Sequence, residues 1–361
     1  MNILYLLFSF TTGGTERLVT DICNEMVTRD HTVYLYVVND LYDASMLSGV
    51  DPRVNIYLQK RSAGGGDKLH TLMQIARYIR DNKIDVVHCN SFDAPELLLL
   101  KPVAFPSTRI LHTIHGMGQY AHLSKLKCIL RNLLCDRFIA ISQSVCDDIV
   151  SHGAAKNKVS IIYNAIDLKR FSPNTEARNP EQYRIGNVAR IMPELKGQDI
   201  LLQAIALLHE KHPNIQCFFA GGADAAHQQA FQKLRDSAAQ SGIADQVVFL
   251  GNVEDVPSLL RTLDIFVLPS RSEGFGISLV EAMAMGIPCI ASDLEGPAEV
   301  LQQGKYGMLF PVGDAQALCC KLEEMICNYD HCQEVAQQAQ TYVRDQYHIK
   351  GMCDRLESLM H

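Results

Sequence analysis

A chain of 361 residues with 47% apolar content has room for two or three domains with full cores, which excludes a disordered segment or a disulfide-stapled miniprotein. Its net charge of -7, from 33 basic and 40 acidic residues, argues against a general nucleic-acid binder. The charge is uneven: residues 1–165 carry 17 Lys+Arg and 15 Asp+Glu, and residues 166–361 carry 16 and 25.

The opening segment Met1-Asn-Ile-Leu-Tyr-Leu-Leu-Phe-Ser-Phe10 is apolar like a signal-peptide core. It lacks the basic flank and small-residue cleavage site, so residues 3–10 are read as a buried strand. Residues 15–29 predict a helix, with Leu18, Ile22, Met26 and Val27 on one face. A strand at 32–38, a helix at 68–81 and strands at 86–89 and 109–114 follow. The glycine run within Ser62-Ala-Gly-Gly-Gly-Asp67 has no strand before it and reads as a surface loop. Next come a basic helix at 124–134, a strand at 137–141, a helix at 143–151 and a strand at 159–162. This alternation is that of a parallel sheet covered on both faces.

The pattern then restarts after a polar stretch with two prolines, residues 171–181, the expected linker. Strands are expected at 183–188, 215–220, 247–250, 265–268 and 289–292. Helices are expected at 197–211, 226–240, 256–261, 277–285, 311–329 and 334–359. The expectation is two open α/β domains facing each other across a deep cleft, with ligands at the carboxyl ends of the strands. No uncharged apolar run approaches 18 residues, so no membrane span is expected. The twelve cysteines include no C-x-x-C; Cys89, Cys217 and Cys289 sit in strand-like runs and read as reduced, structural thiols of a reducing compartment.

The most informative stretch is Pro269-Ser-Arg-Ser-Glu-Gly-Phe-Gly-Ile-Ser-Leu-Val-Glu281. Eight positions separate Glu273 from Glu281, about 80° around a helix, so one belongs to a loop and the other to the second turn of the following helix. Gly274 and Gly276 let backbone N–H groups point at an anion where the helix dipole also favours one. The result is a phosphate cradle between two carboxylates. Glu281 suits a vicinal diol, and Glu273 suits whatever is attached beyond the phosphates. Arg190 leaves a strand end and Lys196 precedes a helix; such a pair neutralises a diphosphate or is simply solvated. Gly13-Gly14 after the first strand permits close backbone approach or forms a tight turn.

These residues together resemble the retaining glycosyltransferases of family 4, of bacterial surface-polysaccharide type, which have the GT-B fold. Glu273-x7-Glu281 with Gly-Phe-Gly between carries the resemblance, as do Arg190…Lys196-Gly197, Asn164-Ala-Ile-Asp-x3-Phe171-x-Pro173, Gly13-Gly14-x-Glu16-Arg17 and His115-Gly116. Ala165 stands where glycine is usual, and Glu295-Gly-Pro replaces a common Gly-Gly pair near the sugar pocket.

The resemblance implies a first domain of residues 1–165, joined by the returning chain at about 343–361, and a donor domain of residues 166–342. It implies that Arg190 and Lys196 bind the donor diphosphate with the backbone at Gly13, Gly14, Gly274, Phe275, Gly276 and Ile277. Glu281 would hold the ribose and Glu273 the transferred sugar, with Asn252 and Val253 near the base and His115 beside the sugar. His115, Glu273, Arg190 and Lys196 form the expected catalytic set. The donor is expected to be a nucleoside diphosphate sugar, with UDP-sugar favoured, and the acceptor a glycan or lipid-linked glycan. No metal or other cofactor is expected, because fixed cations carry the charge and no Asp-x-Asp occurs. The expected location is cytoplasmic, with peripheral contact at the cytoplasmic face of the inner membrane.

For that contact, residues 122–137 form a basic amphipathic stretch, with Lys125, Lys127, Arg131 and Arg137 beside Leu126, Ile129, Leu130, Leu133 and Leu134. It reads as an interfacial helix or as a packed helix with a solvated basic face. The competing functions are a non-catalytic nucleotide-sugar-binding subunit, a GT-B nucleotide-sugar epimerase or hydrolase, and a two-lobed solute receptor. The intact set of charged residues favours the transferase.

Overall fold

A computed structural model describes residues 1–62, 67–172 and 182–361. The expected glycine-run loop and linker fall mainly on 63–66 and 173–181, outside the described residues. The chain forms two compact units, Met1–Ala165 with Ile349–His361, and Ile166–His348.

The first unit is built on a seven-stranded parallel sheet. Its strands are β1 (Asn2–Leu7), β2 (Thr32–Asn39), β3 (Asn55–Arg61), β4 (Val86–Cys89), β5 (Arg109–Ile114), β6 (Arg137–Ala140) and β7 (Val159–Ile161), in the order β3-β2-β1-β4-β5-β6-β7. The order reverses between β1 and β4, the topological switch point of an open α/β sheet. Central strands are apolar almost without interruption because helices cover both faces; all four residues of β4 are buried. The edge strand β3 was not expected. Its residues are mostly exposed and its sequence, Asn-Ile-Tyr-Leu-Gln-Lys-Arg, carries only a three-residue apolar run. What fixes it is pairing with β2 and the packing of Tyr57 against Tyr36 and Tyr78, with ring centroids 4.8 and 5.0 Å apart.

Helix Gly14–Thr28 buries Leu18, Ile22 and Met26, one residue per turn, together with Val19, Cys23 and Val27. The expected single helix at 334–359 is two helices, Tyr329–Gln346 and Ile349–Met360. The break at Tyr347 and His348 is where the chain leaves the second unit for the first. The last helix packs on Gly14–Thr28, and the Arg29 guanidinium donates to Asp354 and Glu357 at 2.6 Å and to the Lys350 carbonyl at 2.8 Å.

Helix Lys125–Leu134 corrects a second expectation. Ser124 caps its N-terminus, accepting from the Lys127 N–H. Arg131 is fully buried rather than part of a solvated basic face. Its guanidinium donates to Asp93 and Glu96 at 2.9 and 2.8 Å and lies 4.1 Å from the centre of the Phe92 ring. Leu126, Ile129 and Leu133 point outward, with Leu126 and Leu133 about three-quarters exposed.

The second unit holds a six-stranded parallel sheet. Its strands are β8 (Tyr183–Val188), β9 (Ile215–Ala220), β10 (Val247–Gly251), β11 (Ile265–Leu268), β12 (Cys289–Ser292) and β13 (Met308–Phe310), in the order β10-β9-β8-β11-β12-β13. Here the order reverses between β8 and β11. The short edge strand β13 and helix Glu295–Val300 were not expected. Helix Gln198–Leu208 packs Ile200, Leu201, Ile205 and Leu208 into the core against Ile185, Ile265 and Val267. Cys89, Cys217 and Cys289 are buried inside β4, β9 and β12, and burial pushes all three thiols up. Among the described residues, no helix is long and apolar enough to cross a membrane.

Candidate active site

In the second unit, the loops that leave β8 and β11 emerge side by side on the carboxyl edge of the sheet, at its switch point. Two buried amides brace this edge: Asn187 Nδ2 donates to the Val267 carbonyl at 2.9 Å, and Gln198 Nε2 to the Arg190 carbonyl at 2.8 Å. Arg190 follows β8 with its side chain exposed. Lys196 ends the single turn Pro193–Lys196. That turn sits directly on the loop after β11 because Gly197, with φ of +64°, has no Cβ; one placed there would overlap the Pro269 carbonyl.

The loop after β11 carries Glu273, and Lys196 Nζ donates to its Oε2 at 2.8 Å. The two side chains are 25% and 17% exposed, so the pair is partly withdrawn from water yet reachable. Gly276, with φ of +94°, precedes helix Ile277–Ala284 and leaves its first N–H groups without a side-chain cap. That is the backbone arrangement an anion favours. Phe275 does not face a ligand: it is buried, edge-on to Tyr347 at 5.4 Å, so only its backbone is available to the cradle. Ile277 begins the helix, and Glu281 sits in its second turn, partly buried.

Asn252 and Val253 follow β10. Asn252 Oδ1 accepts the Gly222 N–H at 2.8 Å, which ties the loop after β10 to the loop after β9. A Cβ on Gly222 would fall 2.5 Å from that oxygen, so a larger residue would displace the Asn252 side chain.

In the first unit, Gly13 and Gly14 follow β1, and Gly13 is the N-terminal cap of helix Gly14–Thr28. The Glu16 carboxylate folds back over the turn, so that a Cβ on Gly13 would fall 2.5 Å from its Oε2. His115 follows β5, and its Nε2 lies 3.3 Å from Asn90 Oδ1 at the end of β4. Since that oxygen only accepts, Nε2 carries the proton, and Nδ1 is buried without a partner. Burial pushes the His115 imidazole down to about 4, so the ring is neutral near pH 7.

Three positioning features were not expected from the sequence. Arg271 forks onto Asp199 and also donates to the Pro193 carbonyl, fastening the Lys196 turn to the Glu273 loop. Gly296, inside the Glu295-Gly-Pro departure, lets helix Glu295–Val300 touch the Glu273 loop: a Cβ there would fall 2.6 Å from the Gly274 carbonyl. Asn90 orients His115. Arg271 lies within the Pro269–Glu281 stretch and Gly296 within the Glu295-Gly-Pro departure, but neither carried an expected role; Asn90 lies outside every motif. Among the described residues, no three His, Cys, Asp or Glu side chains are grouped to hold a metal ion.

Comparison with known proteins follows the same division. The family model described as Glycosyltransferase Family 4 matches residues 12–170, and that described as Glycosyl transferases group 1 matches residues 169–342. The lipopolysaccharide core biosynthesis mannosyltransferase LpsB of Rhizobium meliloti is 32% identical over 169 residues, 44% of this chain and 48% of that protein. The corresponding mannosyltransferase LpcC of Rhizobium leguminosarum bv. viciae is 28% identical over 228 residues, 61% of this chain and 62% of that one. The matches thus span about half and about three-fifths of those relatives' own lengths. The crystal structure of Anabaena HepE in complex with UDP and glucose superposes with a TM-score of 0.86 at 20% identity, over 99% of this chain and 98% of that one. With two parallel-sheet Rossmann-like units and contiguous matches to both halves of the family, the chain belongs to the family 4 glycosyltransferases and has the GT-B fold.

Proposed function

We propose that this chain is a retaining transferase that moves a hexose or N-acetylhexosamine from a nucleoside diphosphate sugar to a glycan or lipid-linked glycan of a bacterial surface polysaccharide. The observation that carries the reading is the 2.8 Å contact between Lys196 and Glu273, made by the loops of the two strands that flank the switch point. A cation for phosphate and an acceptor for hydroxyls stand side by side, beside the uncapped start of helix Ile277–Ala284. In this reading Arg190, Lys196 and that helix terminus stabilise the leaving diphosphate, which takes the acceptor's proton as the glycosidic bond forms on the same face. Glu281 accepts from the ribose, and Asn252 and Val253 line the base. Fixed cations do this work without a metal. A UDP-sugar is favoured as donor: HepE binds UDP and glucose, whereas LpsB and LpcC are mannosyltransferases, so GDP-mannose is the donor to test against it.

A thermal-shift screen of UDP-, GDP- and ADP-sugars tests the reading. A donor at 100 times its Kd adds about 2.7 kcal/mol to the folded state, and Lys196→Ala, at the cost of about 1.5–3 kcal/mol of binding, diminishes the shift. Absence of a shift with every nucleotide sugar refutes it.

A lipid-linked acceptor calls for a place at the cytoplasmic face of the inner membrane. Leu126, Ile129 and Leu133 present one exposed apolar stripe beside Lys125 and Lys127, which supports an interfacial role for helix Lys125–Leu134. Sedimentation with anionic vesicles, and its loss in Leu126→Glu/Leu133→Glu, is the corresponding measurement; a chain that stays in the supernatant contradicts it.

A further inference from the structure

Lys196 does not meet a phosphate as an isolated cation. Its Nζ already donates to Glu273 Oε2 at 2.8 Å, and the backbone on both sides of the pair is cross-linked. The Leu195 carbonyl accepts from the Arg271 and Ser272 N–H groups at 2.8 and 3.2 Å. Arg271 in turn grips Asp199 and the Pro193 carbonyl. The two charges are therefore held together with little chain freedom left to lose.

An ammonium has three donors, so Lys196 can keep Glu273 and still meet a phosphate oxygen. The carboxylate charge then lies within a few ångströms of the phosphate, at a site where water screens them only partly. An intact sugar nucleotide relieves this, because its sugar hydroxyls donate to Glu273. A free nucleoside diphosphate brings no hydroxyls to that position, and its terminal phosphate, with a second pKa near 6, carries additional negative charge.

We propose that the Lys196–Glu273 pair makes diphosphate binding conditional on the attached sugar, so that the site holds the sugar nucleotide and rejects the nucleoside diphosphate left after transfer. The proposal rests on the donor-site reading above. Glu273 then has two roles, recognising the sugar before transfer and repelling the product after it. This is selectivity obtained by building repulsion against the unwanted ligand.

The test is calorimetric titration of the full chain with UDP and UDP-glucose, and with GDP and GDP-mannose, for wild type, Glu273→Gln, Lys196→Ala and the double variant. Glu273→Gln should bind the nucleoside diphosphate about fivefold more tightly, the scale of a partly exposed ion pair. It should bind the matching sugar nucleotide no more tightly. The gain should be no smaller when Lys196 is already alanine, because the carboxylate then faces the phosphate without its cation. The proposal is overturned if wild type binds these ligands and Glu273→Gln leaves the ratio of the two affinities unchanged. It is likewise overturned if the gain disappears without Lys196. If wild type binds none of the four, the donor-site reading falls and takes the proposal with it. Should the glutamine variant fail to fold, as judged by its melting temperature, Glu273→Ala is read by the same ratio.

Discussion

Arg271 holds Asp199 in a two-pronged ion pair, its Nη1 and Nη2 donating to Oδ1 and Oδ2 at 2.6 and 2.7 Å. Neither residue carries charge to the ligand in the proposed mechanism, yet the pair joins the loop bearing Glu273 to the helix that follows Lys196. About a third of each side chain is exposed, so its worth to global stability is about 1 kcal/mol or less. Its worth to geometry is larger.

Arg271→Ala should therefore cost little melting temperature and much activity. Misplacing Lys196 and Glu273 together should lower kcat/KM for donor about tenfold or more. Arg271→Lys should not restore it, because an ammonium cannot make the fork. Steady-state kinetics beside a thermal melt decide this; a large loss of stability with normal kinetics in the folded fraction would show a purely structural role.

Glu273 and Glu281 should fail in different ways. The ribose assigned to Glu281 is unchanged through the reaction, so Glu281→Gln should mainly raise donor KM. The sugar assigned to Glu273 gains positive charge as its bond to phosphate breaks, so Glu273→Gln should mainly lower kcat. Parallel drops in melting temperature, with unchanged kinetics of the folded fraction, would instead mean that both carboxylates merely brace the loop and helix Ile277–Ala284.

Chelation should leave transfer largely intact, since in the proposed mechanism Arg190, Lys196 and the helix N-terminus supply the positive charge at the leaving group. The measurement is initial rate before and after exhaustive EDTA treatment. Abolition by EDTA with recovery on adding Mg²⁺ or Mn²⁺ would contradict the charge assignment.

Acid should weaken the first unit. His88 and His112 are fully buried, and burial pushes His88 down to about 3 and His112 well below its ordinary value; His115 is pushed down to about 4. Unfolded histidine titrates near 6.5. Between that pH and about 4 the unfolded chain binds protons that the folded chain refuses, so stability falls as pH falls. The slope is at most about 1.4 kcal/mol per pH unit for each histidine. Urea melts from pH 7.5 to 4.5 should show the decline beginning near 6.5, and His88→Gln should make it shallower. A flat profile between pH 7 and 5 would be inconsistent with neutral buried imidazoles.

What could be read from residues alone is what local sequence controls. Strands β5, β8, β9, β11 and β12 are legible to the residue because short mostly apolar runs stand between polar turns: β11 is apolar and buried throughout, while β5, β8 and β9 tolerate Arg109, His112, Arg184, Asn187 and Gln216 within the run. The Glu273–Glu281 segment is legible because strand, glycine loop and helix are contiguous, and a contiguous motif needs no partner to announce itself. Of the four edge strands, β7 and β10 are legible, but β3 is not because most of its residues are exposed, and β13 is not because it is only three residues long. The direction faced by helix Lys125–Leu134 is decided by Asp93, Glu96 and Phe92, more than 30 residues away, which draw Arg131 inward and leave Leu126 and Leu133 outside. The Lys196–Glu273 contact joins positions 77 residues apart. It exists because the sheet order sets β8 against β11 and sends β9 and β10 to the other side. Periodicity records which residues are buried; strand order, which depends on the packing of the whole sheet, determines which charges meet.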